Sequence, residues 1–147
     1  MGTILLPPDF KEFLQLLNSH KVEYLLVGGY AVIYYGYPRT TGDMDIWVSR
    51  SQGNAEKIVA ALVAFGFPQA PAELFLKENQ IIRMGVPPLR LEILTSVSGV
   101  SFDECYAERT IAVLDDVEIN LISLKHLKRN KKASGRHKDL NDLENLP

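Results

Sequence analysis

Cysteine is almost missing from this 147-residue chain, which contains only Cys105. A single cysteine excludes a disulfide within the chain, and it excludes a zinc site built mainly from thiolates. A chain without disulfides is typical of a reducing compartment, so we predict a cytoplasmic protein. We expect Cys105 itself to be a small residue of the core.

Long apolar runs are also missing. The N-terminal segment MGTILLPPDF has no basic residue, and its apolar run covers only residues 4–6. It matches neither a signal peptide nor a membrane span, so we expect an extended arm over residues 1–8 and no membrane partner. With 46% hydrophobic and 23% charged residues, the chain has the composition of one globular domain over residues 1–147.

A strong charge of one sign is absent, since the formal net charge is −2. This average hides a segregation, because residues 125–138 hold seven of the sixteen Lys and Arg residues and no acid. The rest of the chain has nine cations against eighteen acids, a net charge of −9. The basic block is a candidate site for phosphates or RNA, and its alternative is a solvated helix face.

Hydrophobic periodicity predicts helices that alternate with strands early in the chain, followed by a cluster of strands. The expected helices cover residues 10–20 (capped by Asp9, with Glu12), 30–35, a segment from a cap at Ser51 or Asn54 to Gly66, 123–132 (capped by Ser123), and 136–146, with Leu140, Leu143 and Leu146 inward. The expected strands cover residues 23–27, 43–48, 74–77, 80–84, 89–94 and a hairpin of 110–114 with 117–121. This order predicts an α+β (α/β-like) fold with a short mixed sheet flanked by helices.

The stretch LLVGGYAVIYYGYPRTTGDMDIWV, residues 25–48, contains the main candidate site. Asp43 and Asp45 are one residue apart on a predicted strand, so their side chains share one face, while Met44 and Ile46 point to the other. Like charges side by side cost free energy unless a cation lies between them. The pair therefore predicts half of a site for Mg²⁺, which prefers oxygen ligands.

A third acid from a neighbouring strand would complete this site. Glu92 alternates with the apolar Leu91 and Ile93, which predicts that Glu92 lies on a polar face. Three carboxylates could hold two ions, the arrangement that clamps an in-line nucleotidyl displacement. The alternative for Glu92 is an ordinary surface residue of a half-exposed strand.

The residues between these strands are candidates for nucleotide binding. Gly28 and Gly29 follow a strand and precede a helix, where the backbone can approach a phosphate and helix N–H groups are unpaired. The alternative is a simple tight turn, since the fingerprint G-x-G-x-x-G is absent. Arg39, Thr40 and Thr41 come just before the acidic strand and could bind a triphosphate, although Arg39 could instead form an ion pair with the acidic pair.

The remaining polar and aromatic residues give weaker signals. His20, His126 and His137 have no ligand spacing, so we interpret them as surface residues. Trp47 shares the strand face of the acidic pair, and we expect it to pack in the core rather than to stack on a base.

Together these residues resemble a known superfamily. VGGYA at 27–31 and YGYPRTTGDMDI at 35–46, followed by an acid on a later strand, resemble the DNA polymerase β-type nucleotidyltransferases. The ending GRHKDLNDL at 135–143 is similar to that of the minimal nucleotidyltransferase-like proteins and the AbiEii-type toxin family.

The resemblance implies a nucleotidyltransferase that moves an NMP from an NTP to a protein side chain or an RNA end such as tRNA, in a toxin–antitoxin pair. It implies that Asp43, Asp45 and Glu92 are the catalytic residues and the metal ligands, for one or two Mg²⁺ ions with Mn²⁺ as a substitute. The implied nucleotide-binding residues are Gly28, Gly29, Arg39, Thr40, Thr41, Lys132, Arg136 and Lys138.

Two residues depart from the pattern of the superfamily, which usually has Asp in place of Glu92 and, in its better-known branch, Ser in place of Gly29. The first departure leaves open a second hypothesis, a catalytically weakened antitoxin or interaction module that binds a nucleotide or a partner protein. A third hypothesis is RNA binding through residues 125–138 without catalysis.

Overall fold

A six-stranded mixed sheet is the centre of the computed structural model, which describes residues 4–86 and 89–147. The strands are β1 (Tyr24–Val27), β2 (Asp43–Val48), β3 (Ile81–Val86), β4 (Leu89–Leu94), β5 (Thr110–Leu114) and β6 (Val117–Leu121). Their order across the sheet is β3-β4-β2-β1-β6-β5. The β1–β6 and β2–β4 pairs are parallel and the other pairs are antiparallel, which confirms the predicted mixed sheet.

Helices flank this sheet, as the α+β expectation requires. They are α1 (Pro8–Ser19), α2 (Gly28–Tyr34), α3 (Gln52–Phe65), a 3₁₀ helix (Ala72–Leu76), α4 (Phe102–Ala107), α5 (Leu124–Ser134) and α6 (His137–Asn145). Helix α1 packs against α3 and β6, while α5 packs against α6 and α2. None of the helices in the described ranges combines the length and apolarity needed to cross a bilayer.

Two of the three predicted helix caps are present. The Ser51 hydroxyl accepts a hydrogen bond from the Asn54 N–H, and α3 ends at Gly66 in a left-handed conformation. Ser123 caps α5 in the same way. The predicted Asp9 cap is wrong, because α1 already begins at Pro8, a residue well suited to a first helical position, without a capping side chain.

Several other predictions are also wrong. Residues 74–77 do not form a strand but belong to the 3₁₀ helix after Pro71, since a short apolar run does not distinguish the two states. Helix α4 was not predicted, because in six residues only Cys105 is fully buried. Leu140, expected inward, is 46% exposed. The sequence also predicts a turn at residues 86–88 from its two prolines, and Pro87 and Pro88 lie outside the described residues.

Candidate active site

The acidic residues of β2 and β4 lie side by side in the sheet. In the β2–β4 pair Asp45 is opposite Glu92, and in the β1–β2 pair Asp45 is opposite Val27. Because α2 starts directly after Val27, its first residue Gly28 lies beside Asp45. The sheet register therefore brings together the end of β1, the acidic pair of β2 and Glu92.

The two glycines at the start of α2 allow a very close approach to the acidic strand. Gly28 has φ +68°, and a Cβ atom on it would clash with Asp45, lying 3.0 Å from that residue's Cγ. A Cβ atom on Gly29 would lie 2.7 Å from Thr41 Oγ1. A side chain at either position would therefore displace a candidate site residue.

Asp45 is held in an unfavourable environment for a carboxylate. Its Oδ1 is buried and has no hydrogen-bond partner among the described residues. Burial, followed by the neighbouring carboxylates of Glu92 and Asp43, raises the pKa of Asp45 from 3.8 to about 7, with Lys131 opposing the rise. Binding of a proton or a cation to Asp45 would therefore be favourable.

Asp43 and Glu92 are partly neutralised by arginines. Arg90 Nη2 lies 3.3 Å from Asp43 Oδ2 and 3.6 Å from Glu92 Oε1, and Arg83 Nε lies 3.0 Å from Glu92 Oε1. Hydrogen bonding to Asp43 raises the pKa of Arg90, which is already cationic at neutral pH. A bound metal ion would have to replace these guanidinium contacts.

A second group of charges lies beside the glycines, where α5 meets α6. Lys131 Nζ lies 3.2 Å from Asp139 Oδ1 and 3.1 Å from Asp142 Oδ2. Arg39 Nε lies 2.8 Å from Asp142 Oδ1, so Arg39 pairs with α6 and not with the acidic pair of β2. The network fixes two cations, Arg39 and Lys131, next to the site.

These elements enclose a cavity of about 400 Å³, which we call the proximal cavity. Of the predicted site residues, it is lined by Gly28, Gly29, Arg39, Asp45, Arg136 and Lys138. Thr41 does not line the cavity but lies next to Gly29, and its hydroxyl donates a hydrogen bond to the Asp43 carbonyl. Thr40 is exposed. The cation contributed by the middle of α5 is Lys131 and not the predicted Lys132, which is exposed.

Lys131 could have been found from the sequence. It follows Leu127 by four residues, so helical periodicity places both side chains on the buried face of α5. The expectation that His126 lies at the surface is wrong, because its side chain is fully buried on α5. Trp47 is buried as expected, with its ring edge-to-face against Phe102 at 5.2 Å.

The carboxylates of Asp43, Asp45 and Glu92 fit Mg²⁺ in their chemistry, because they supply oxygen ligands and include the unpartnered Asp45 Oδ1. Their ligand oxygens do not all lie within 4.8 Å of one another. Among the described residues, the group of three whose ligand atoms lie within 4.8 Å of one another is Glu104 on α4, Glu108 directly after that helix and His126 on α5. Its glutamates pair with Lys125 and Arg129, so its charge is already balanced.

Solved structures with the same fold include several nucleotidyltransferases. A nucleotidyltransferase from Thermotoga maritima matches with a TM-score of 0.61 and 14% identity, over 96% of this chain and 94% of the other. The lincosamide antibiotic adenylyltransferase LnuA, bound to lincomycin, matches with a TM-score of 0.57 and 16% identity, over 99% of this chain and 98% of the other. An antigenic nucleotidyltransferase-like protein from Paracoccidioides brasiliensis matches with a TM-score of 0.54 and 19% identity, over 91% of this chain and 71% of the other. No curated protein matches the sequence significantly.

The match to a nucleotidyltransferase family, together with this fold, makes the chain a nucleotidyltransferase. More narrowly, residues 9–146 match the family model of the aminoglycoside-2''-adenylyltransferases, and the chain belongs to that family. The superfamily expected from the sequence is thereby confirmed, while the particular closeness to AbiEii-type toxins stays a prediction.

Proposed function

We propose that this protein transfers a nucleoside monophosphate from an NTP to a hydroxyl group, with Asp43, Asp45 and Glu92 at the reacting centre. The proposal rests mainly on Asp45, which lies against Gly28 and lines the proximal cavity. Its Oδ1 has no hydrogen-bond partner among the described residues, and its pKa is raised to about 7. The family name makes ATP the first donor to test.

Cations around the proximal cavity suit a triphosphate. Lys131, Arg136 and Lys138 line it together with Arg39, and Gly28 and Gly29 let phosphate oxygens approach the backbone. We assign Arg39, Arg136 and Lys138 to nucleotide binding as the sequence indicated, with Thr41 supporting the glycines, and we add Lys131. Thr40 and Lys132 have no contact that supports this role.

Asp43, Asp45 and Glu92 would hold Mg²⁺, or Mn²⁺ in its place. When bound, the metal supplies positive charge for the phosphate oxygens of an in-line displacement. Asp45 has a second task in this proposal. Its carboxylate lies at the proposed reacting centre and can accept the proton of the attacking hydroxyl, while its raised pKa of about 7 belongs to the site before a cation binds.

Two observations favour different classes of acceptor. The name of the family and the lincomycin bound to LnuA favour a hydroxyl on a small molecule. The resemblance to AbiEii-type proteins instead favours a protein side chain or a tRNA end, in a toxin–antitoxin pair. Transfer of label from α-³²P-ATP to small molecules, lysate proteins and tRNA, compared in one assay, separates these acceptors.

The experiment that tests the site is calorimetric titration of ATP in the presence of Mg²⁺. We expect binding to wild type and to Asp9→Asn, a control that removes an exposed carboxylate of α1. We expect at least about tenfold weaker binding to Asp45→Asn, since a lost charged ligand costs 1.4 kcal/mol or more. Equal binding to all three proteins would refute the site. Label transfer that depends on Asp45 would also rule out the weakened-module hypothesis.

A further inference from the structure

Two carboxylates of α6 lie beside the proximal cavity and differ in their relation to it. Asp139 and Asp142 are three residues apart, so helical geometry places them on one face of α6, and each is 1% exposed. Asp139 lines the cavity, whereas Asp142 does not. Any effect of Asp142 on a ligand in the cavity must therefore act through the side chains that Asp142 contacts.

Asp142 contacts two cations of the cavity at the same time. Arg39 Nε lies 2.8 Å from Asp142 Oδ1, and Arg39 Nη2 donates a hydrogen bond of 3.0 Å to Asp142 Oδ2. Lys131 Nζ lies 3.1 Å from the same Oδ2 and 3.2 Å from Asp139 Oδ1. Because Arg39 and Lys131 both line the proximal cavity, one buried carboxylate fixes the position of two candidate ligands of a triphosphate.

Both cations keep hydrogen-bond donors that α6 does not use. The ammonium group of Lys131 has three N–H donors and, among the described residues, two carboxylate partners. The guanidinium group of Arg39 has five N–H donors, and its described partners are Asp142 and the Thr40 carbonyl. A phosphate group in the cavity can therefore bind both cations while their contacts with Asp142 are kept.

Lys131 also has an alternative partner in the same cavity. Asp45 lines the cavity, and its Oδ1 is buried without a hydrogen-bond partner among the described residues. The charge of Lys131 opposes the rise of the Asp45 pKa, yet the described ion pairs of Lys131 are those with Asp139 and Asp142. Because opposite charges attract strongly in the interior, two carboxylates of α6 hold Lys131 more firmly than the single carboxylate of β2.

We propose that Asp142 is a positioning residue of the nucleotide site. It binds Arg39 and Lys131 on the α6 side of the cavity, which leaves their remaining N–H groups for the triphosphate and leaves Asp45 for the metal. The inference rests on the proposed function. It adds how a cluster of cations and a group of carboxylates lie side by side without neutralising each other.

Mn²⁺ binding without nucleotide, measured by electron paramagnetic resonance, tests whether Asp142 keeps Asp45 free. Asp142→Asn keeps the shape of the side chain but removes its charge. We expect about fivefold weaker Mn²⁺ binding, because Lys131 loses one of its two partners on α6 and pairs with Asp45 instead. The matched control is Glu144→Gln, which removes an exposed carboxylate two residues further along α6 and should bind Mn²⁺ as wild type does.

Two double variants separate positioning from a purely structural role. Lys131→Met/Asp142→Asn and Arg39→Met/Asp142→Asn each remove one charge of either sign, so both keep the interior balanced. We expect Mn²⁺ binding to return to the wild-type value in the first variant, which has no ammonium group to pair with Asp45. The second variant retains Lys131, so its Mn²⁺ binding should stay about fivefold weaker.

Calorimetry with ATP and Mg²⁺ gives the complementary measurement. Both double variants lack one cation of the cavity, so each should bind ATP at least about tenfold more weakly than wild type. Lys131→Met/Asp142→Asn should therefore recover Mn²⁺ binding without recovering ATP binding. A purely structural role of Asp142 predicts instead that the two affinities recover together.

The same proteins separate this inference from the proposed function. Circular dichroism would verify that each variant is folded, and the charge-balanced double variants test the inference even where Asp142→Asn alone does not fold. Wild type that binds neither ATP nor Mn²⁺ would refute the proposed function. Wild type that binds both, together with equal Mn²⁺ affinities of the two double variants, would overturn the role of Asp142 alone.

Discussion

Two groups of carboxylates lie close together in this protein and have opposite environments. Asp139 and Asp142 on α6 are each about 1% exposed, yet Lys131, Arg39 and Arg136 pair with them. Burial alone would raise the pKa of Asp139, but the hydrogen bonds and charges of Arg136 and Lys131 lower it below its ordinary value. Both carboxylates of α6 therefore lie in ion pairs with cations from other parts of the chain or from the N-cap residue of α6 itself.

Asp45 on β2 shows the reverse. Burial and two acidic neighbours raise its pKa to about 7, and one of its oxygens has no partner among the described residues. Asp45 and the two carboxylates of α6 thus share buried oxygen atoms, and an ion pair with a cation is what separates them. A paired group stabilises the fold, whereas an unpaired group costs stability and is retained where a ligand completes it.

The largest effect should come from breaking the paired group. Lys131→Met leaves Asp139 and Asp142 short of a cation in the interior, and we expect a loss of about 3–5 kcal/mol in the free energy of unfolding. Urea denaturation measures it. The matched control is Lys132→Met, one residue along on the exposed side of α5, which should change little. Similar losses in the two variants would contradict the role given to Lys131.

Removing the charge of Asp45 should raise the free energy of unfolding, whereas removing Lys131 lowers it. The folded pKa of Asp45, about 7, lies above its ordinary 3.8, so this group's contribution to stability is complete below about pH 4 and is lost as pH rises through 7. Asp45→Asn mimics the protonated form. We therefore expect a gain on the order of 2–4 kcal/mol at pH 8 that vanishes near pH 4. Urea denaturation at both pH values would show no such difference if Asp45 were an ordinary carboxylate.

A glycine pair sharpens the claim that Asp45 is forced against the backbone. Gly28 and Gly135 have nearly the same φ, +68° and +66°, but a Cβ atom on Gly135 would meet its nearest neighbour at an ordinary 3.8 Å. Gly135→Ala should lose about 1 kcal/mol from backbone strain. Gly28→Ala should lose roughly 1–2 kcal/mol more from its clash with Asp45. Equal losses in thermal unfolding would mean that Asp45 moves away freely.

The smallest effect should come from the arginine beside the acidic face. Arg90 pairs with Asp43 and Glu92 at the protein surface, where ion pairs contribute little. Arg90→Gln should shift the thermal midpoint by less than about 2 °C. By removing a competing cation it should strengthen Mn²⁺ binding, measured by electron paramagnetic resonance. Weaker Mn²⁺ binding would show that Arg90 supports the metal site instead.

Much of the acidic face could be predicted from the sequence, because strand alternation is a local rule. The spacing of Asp43 and Asp45 fixes their common face, and the alternation around Glu92 marks a second polar strand face. That Glu92 lies opposite Asp45 could not be deduced from the residues alone, because it depends on the sheet order.

The paired group was harder to predict for the same physical reason. Arg39 and Asp142 are 103 residues apart, so only the tertiary fold brings them together. From the sequence alone, the alternative partner predicted for Arg39 is the acidic pair Asp43 and Asp45, which is near in the chain. Lys131 and Lys132 carry the same charge in the same basic block, and only the phase of α5 distinguishes the buried one from the exposed one.

The most direct test of the contrast is a carbon-13 NMR titration of the Asp45 and Asp139 carboxyl groups, with and without Mg²⁺. We predict a pKa near 7 for Asp45 without Mg²⁺ and a fall of at least about one unit with it, because a bound cation favours the ionised form. The pKa of Asp139 should stay below its ordinary value in both conditions. An Asp45 pKa that is near 4, or that does not respond to Mg²⁺, would contradict the assignment of this face as the metal and nucleotide site.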